Sequence, residues 1–407
     1  MVALTVTSEP RRRTIEENRI VALLMLHGWT FEQRSKERAQ AEREAAAALE
    51  GLVAQGLPWA QGPGGARRFD PVEVSNFLRR AGLRGEDPTL LEHCAPSARH
   101  VVRAAERKGP VRYAVTIRRR FNLAGWTPGA PIRLRLPAPL LAARTEFLAP
   151  PNTPAKARFE ADRIEVALTV PGEQEIELGV RTTFDMAPAD RFLDEGEVDH
   201  YLRASEGLIR VDQRATSLAG RLAGGVREPL DVIRRLWSFM MDELACGALH
   251  YDRIDPADPY GLVLSEGWYD CRLGSAMLAA MCRARGIPAR VVHGYMLYPI
   301  APASHTWMEA WIDGAGWTPF DLFTWDLEVQ SAGGAWREHF FGRIDDRLPV
   351  ERPPRLFAGT GDVRLPSAWQ MLTYADDEGT VIEFRDLRTG ALVYAESIAV
   401  QRLETPH

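Results

Sequence analysis

Cysteine is scarce in this sequence: four occur in 407 residues (Cys94, Cys246, Cys271 and Cys282), and no pair has CxxC spacing. That excludes a disulfide framework and a paired-cysteine zinc module, so each thiol has to be read from its own surroundings. Charge of one sign is equally sparse. The formal net charge is -5, and the Arg11–Arg13 cluster is too short to attract nucleic acid or an anionic membrane without specificity. Long apolar runs are missing too. The longest early one, Ile20–Leu26, follows Glu16 and Glu17 and has no small-residue cleavage site after it, which points to a cytoplasmic chain. With 45% hydrophobic and 26% charged residues, the composition gives no support for disorder, a coiled-coil rod or a fibrous repeat.

What is present divides into four stretches. Residues 1–108 read as a helical module: Thr14 and Glu17 form a capping box, Phe31–Leu52 is charged and alanine-rich, and Asp70-Pro71 starts another helix. Residues 109–188 change texture. Tyr113, Val115 and Ile117 alternate with polar residues, and Ile132–Leu136, Ile164–Val170 and Ile176–Thr182 follow between proline-rich turns, the pattern of an antiparallel β-sandwich. Residues 189–350 return to helical periodicity, including Pro229–Leu244, and carry the chemistry described next. Residues 351–407 form a C-terminal β extension with strands at Gly379–Phe384 and Ala391–Val400.

The stretch from Gly267 to Tyr295 reads as loop, buried helix and strand, with Gly286 and Pro288 stopping the helix. Cys271 falls in the first turn, where unpaired amides and the helix dipole favour an anion and are expected to lower a thiol pKa. Cys282 lies about 16 Å further along the axis, beyond disulfide reach, and reads as core. Ser304–Ile312 and Trp317–Leu322 then flank the glycine-rich turn of a hairpin. Pairing His305 with Phe323 makes Asp321 a diagonal neighbour of His305 on the same face, whereas a one-residue slip separates them. A thiol that attacks a carbonyl, an imidazole that moves the proton and a carboxylate that fixes the imidazole's tautomer form a working set. A backbone amide at the helix start, that of Cys271 included, would serve the oxyanion.

In order and spacing, the helix-borne Cys271, Gly286-Ile-Pro-Ala-Arg-Val-Val292, the strand led by His305 and ending Trp311-Ile-Asp313, and Gly316-Trp-Thr-Pro-Phe-Asp321 resemble bacterial transglutaminase-like proteins. The resemblance spans about 190–347. It implies an α+β fold with a papain-like core, preceded by a β-sandwich and, here, by the helical module. By motif, it places the nucleophile on Cys271, the base on His305 and the carboxylate on Asp321. One departure stands at Tyr269 and Asp270, where many relatives have a small or apolar residue before the nucleophile.

The implied activity is acyl transfer through a thioester acyl-enzyme that forms or exchanges an amide. The donor would be a peptide, small amide or carrier-bound thioester, and the acceptor an amine or water. Hydrolysis by a cysteine peptidase or amidase is the alternative, and a noncatalytic scaffold the second. Trp268, Tyr269, His293 and Tyr295 are candidate substrate-binding residues, set against a packing role. No cofactor or metal is called for: Cys246 and His250 lack further ligands, and Asp252, Asp255 and Asp258 lack an EF-hand pattern.

Overall fold

The computed structural model describes residues 49–70, 72–74, 76–77, 111–140, 144–151, 153–160, 163–186, 198–247, 249–297, 303–322, 340–343, 346–351, 360–366, 369–375, 380–386 and 389–403. Of the helical module expected at 1–108, the Thr14–Glu17 capping box and Cys94 lie outside these residues. The Asp70 cap lies inside: its carboxylate accepts from the Val72 and Glu73 amides at 2.8 and 3.2 Å.

Period-two patterning gives β1 (Val111–Asn122), β2 (Pro131–Pro137), β3 (Arg144–Leu148), β4 (Lys156–Phe159), β5 (Arg163–Thr169) and β6 (Glu175–Met186). Every second residue of β1 from Tyr113 to Phe121 is buried. Ile132, Leu134, Ile164 and Val166 from the sheet β2-β5-β4 share one core with Val115, Ile117, Leu178 and Val180 from the sheet that holds β1 and β6. These are two antiparallel layers closed on their apolar faces.

In the core region, α1 (Gln213–Ala223) is capped by Asp212, and α2 (Pro229–Glu243) and α3 (Pro259–Glu266) each start with proline in the first turn. The central helix is α4 (Cys271–Ala284), buried from Leu273 to Arg283. A four-stranded sheet in the order β9-β8-β7-β10 lies against it, with β7 at Ala289–Met296, β8 at Ala303–Ile312, β9 at Gly316–Phe320 and β10 at Arg347–Glu351.

Both cores reach this sheet. Ala289, Val291, Met308 and Ala310 pack with α4, whereas Tyr295, Leu297, Leu348 and Val350 belong to the core of the sandwich. The changeover falls at His293, which pairs with Thr306.

The later strands β11 (Trp369–Ala375), β12 (Thr380–Asp386) and β13 (Leu392–Leu403) do not stand apart as an extension. They complete the larger sandwich sheet in the order β11-β12-β13-β1-β6-β3. β13 runs antiparallel to β1 from Tyr394↔Phe121 to Leu403↔Arg112. A buried ion pair, Arg119 Nε to Glu396 Oε2 at 2.6 Å, joins these two strands. Among the described residues no helix is long and apolar enough to cross a membrane.

Candidate active site

The site starts with the residue before Cys271. Asp270 is extended and caps α4, accepting the Leu273 amide on Oδ1 at 2.7 Å. It also accepts the Arg272 amide, and its carbonyl takes the Gly274 amide at 2.9 Å. Of the four N–H groups a helix leaves unpaired at its start, here those of residues 270–273, the Arg272 and Leu273 groups are thereby engaged. On the other side of Asp270, the Tyr251 hydroxyl donates to Oδ2 at 2.7 Å.

Cys271 is the first residue of α4 and is half-buried, whereas Cys246 and Cys282 are buried. Its Sγ accepts a hydrogen bond from the Thr306 amide, one residue beyond His305 in β8. The thiol is held by that amide, and the imidazole contacts Asp321.

That contact follows from hairpin register. β8 and β9 pair from Met308↔Phe320 to Ile312↔Gly316; Phe323, the expected partner of His305, lies outside the described residues. Gly314 and Gly316, at φ 74° and 76°, supply left-handed turn positions that side-chain-bearing residues resist. His305 Nε2 lies 2.9 Å from Asp321 Oδ1 and 2.9 Å from Oδ2. A carboxylate only accepts, so Nε2 carries the hydrogen and Nδ1 keeps its lone pair. His305 is 3% exposed and Asp321 0%.

A fourth group completes this arm. Arg347, from β10, reaches Asp321 Oδ2 through Nη2 at 3.0 Å and Nε at 3.3 Å.

The expected lowering of the Cys271 pKa is reversed. Burial pushes the thiol up to about 12, the Asp270 and Asp321 charges push the same way, and the Thr306 amide and Arg272 only partly offset them. Burial also raises the Asp270 carboxyl above the ordinary carboxylate value. Cys271 therefore rests as a thiol.

Of the other residues singled out from sequence, His293 joins the site. Its Nδ1 is 3.3 Å from Thr306 Oγ1, and burial, followed by the Arg272 charge, pushes its pKa down to about 3, so it stays neutral. Trp268, Tyr269 and Tyr295 are buried in the cores. The Tyr269 hydroxyl points to the Leu322 carbonyl at 3.4 Å, and its ring lies so close to Gly274 that a Cβ there would sit 2.4 Å from Cδ2. Their burial fits the packing role. Among the described residues no group of three metal-capable side chains gathers. His250 instead meets Asp70 at 3.4 Å, and Asp258 meets Arg214 at 2.9 Å.

Sequence reasoning missed Tyr251, Thr306 and Arg347, and read Asp270 only as a departure from the family pattern. Asp270 carried a readable signal, an aspartate immediately before a helix. Arg347 carried none, because only the approach of β10 to β7 brings it near Asp321.

Residues 216–322 match the transglutaminase-like superfamily. No curated protein matches the sequence. Among solved structures, a candidate cysteine protease from Cytophaga hutchinsonii is similar at 14% identity and a TM-score of 0.48, over 74% of this chain and 93% of that one. The periplasmic domain of TgpA from Pseudomonas aeruginosa is similar at 18% identity and 0.31, over 58% and 97%. Red sea bream transglutaminase is similar at 11% identity and 0.29, over 68% and 75%.

Proposed function

From a chain that carries a transglutaminase-like superfamily domain at residues 216–322, we propose a cysteine-dependent acyltransferase in which Cys271 is the nucleophile, His305 the base and Asp321 the orienting carboxylate. The observation that carries this reading is His305 Nε2 held at 2.9 Å from both oxygens of a buried Asp321. Nδ1 is thereby prepared to receive a proton next to the start of α4.

The chemistry runs in two halves. As Sγ attacks the carbonyl carbon of the donor, the thiol proton passes to His305 Nδ1 and the carbonyl electrons move to oxygen, where the Cys271 amide stabilises them. The tetrahedral centre collapses, the bond to the leaving amine or thiol breaks, and His305 returns the proton to that group. The thioester then receives an amine, which gives its proton to His305 and displaces Sγ as the new amide forms. Cys271 leaves as thiolate and is reprotonated by the imidazolium.

We favour transfer over hydrolysis because the half-buried thiol is flanked by the buried His305 and Thr306, which limit the water that can reach an acyl-enzyme. Intact-mass spectrometry after mixing with activated acyl donors tests the nucleophile: a covalent adduct is expected on the native protein and none on Cys271→Ala. Single-turnover product analysis with and without added amine tests the acceptor. A product that amine leaves unchanged would replace transfer with hydrolysis.

A further inference from the structure

The carboxylate of the triad is not solvated, yet it must be an anion to do its work. If Asp321 were protonated, the imidazole could turn its hydrogen to Nδ1 and lose the lone pair that the thiol proton needs. A carboxylate at 0% exposure is costly to keep charged unless a cation accompanies it.

Arg347 supplies that cation with both Nη2 and Nε on the same oxygen, Oδ2, while His305 reaches both oxygens. Its own geometry is fixed from several sides. The guanidinium lies over the Phe340 ring at 5.5 Å. The preceding residue, Asp346, has φ 51°. Its carbonyl accepts the Leu297 amide at 2.8 Å, and its carboxylate accepts the Tyr113 hydroxyl from β1. Strand alternation does the rest, turning Leu348 and Val350 into the sandwich core while Arg347 faces the site.

We propose that Arg347 is a positioning residue of this site: its guanidinium keeps Asp321 anionic and thereby keeps His305 in the Nε2–H form that can take the Cys271 proton. The inference rests on the proposed roles of Cys271, His305 and Asp321. Among the described residues, the charged or titratable groups placed against Asp321 include His305 from β8, Arg347 from β10 and Cys271 from α4. Asp346 turns its carboxylate away to Tyr113. Removing the cation therefore leaves the buried anion without its guanidinium partner.

The test follows carbamidomethylation of Cys271 by iodoacetamide, by peptide mass, from pH 4 to 9 in the full-length protein. For Arg347→Met the acid limb of the rate profile is expected to move up by about one pH unit or more, a roughly tenfold slower reaction on that limb. Arg347→Lys, which keeps the charge but loses the fork, should recover most of it.

An Arg347→Met protein with native circular dichroism and an unmoved profile would overturn the proposal. Should that variant fail to fold, ¹⁵N spectra of the histidines in the native protein decide. A His305 hydrogen on Nε2 at neutral pH supports the inference, and one on Nδ1 refutes it. Acyl-enzyme formation that persists unchanged in Arg347→Met removes the positioning role but leaves the acyltransferase intact. A shifted alkylation profile in a protein that forms no acyl-enzyme does the reverse.

Discussion

Asp270 acts on Cys271 in two opposed ways. It builds the helix that presents the thiol, by capping the Leu273 amide at 2.7 Å, and its carboxylate helps raise the thiol pKa to about 12. A helix N-terminus favours an adjacent anion by about 0.3–1 kcal/mol, less than the 1.36 kcal/mol of one pKa unit. The dipole alone therefore could not outweigh burial and a neighbouring carboxylate, and the thiolate expected from sequence does not form at rest. Asp270→Asn separates the two effects. Asparagine caps as well as aspartate, so thermal stability should hardly change, whereas iodoacetamide should modify Cys271 faster at pH 8, by up to about tenfold if one pKa unit is recovered. An unchanged rate would remove Asp270 from the control of the Cys271 thiol.

At the scale of elements, the site depends on how closely β10 approaches β7. Gly294 makes that approach possible: a Cβ there would lie 2.1 Å from the Leu348 carbonyl oxygen and 2.9 Å from the Trp307 ring. Gly294 is also the strand partner of both His305 and Pro349. Gly294→Ala should push β10 away, draw Arg347 off Asp321 and cost about 1–3 kcal/mol by overpacking. Urea unfolding measures the stability, and the alkylation profile of Cys271 reports the displaced guanidinium. Much at this scale was legible in the sequence. Tyr113, Val115 and Ile117 gave β1 its buried face, Gly286 and Pro288 marked the end of α4, and the turn around Gly314 set the register that joins His305 to Asp321. Those signals are local. The approach of β10 across residues 323–346 leaves no periodicity or cap to read, which is why Arg347 was not anticipated.

For the molecule as a whole, the same distinction explains why residues 351–407 read as an extension. Their alternation was legible, but pairing with β1 was not, because a strand's sequence does not name a distant partner. Arg119 and Glu396 staple that pairing with side chains 6% and 3% exposed. Glu396→Ala strands a buried cation and should cost about 3–5 kcal/mol, read as a lower urea midpoint. Replacing both residues by Met and Leu should restore most of it. Equal stability of the single variant and the native protein would mean that the pair contributes little.

The return of β13 to β1 also has a consequence for biosynthesis. Arg119 leaves the ribosome 277 residues before Glu396, roughly 14 to 55 s earlier at ordinary elongation rates. During that interval β1 can pair with β6, but its other edge, which presents backbone donors and acceptors beside Val115 and Ile117, has no strand to meet. Such an edge is a template for intermolecular pairing. A nascent chain of this protein is thus most exposed to aggregation after its first sandwich strands have emerged and before its last strand does, while α1–α4 and β7–β10 are still being made.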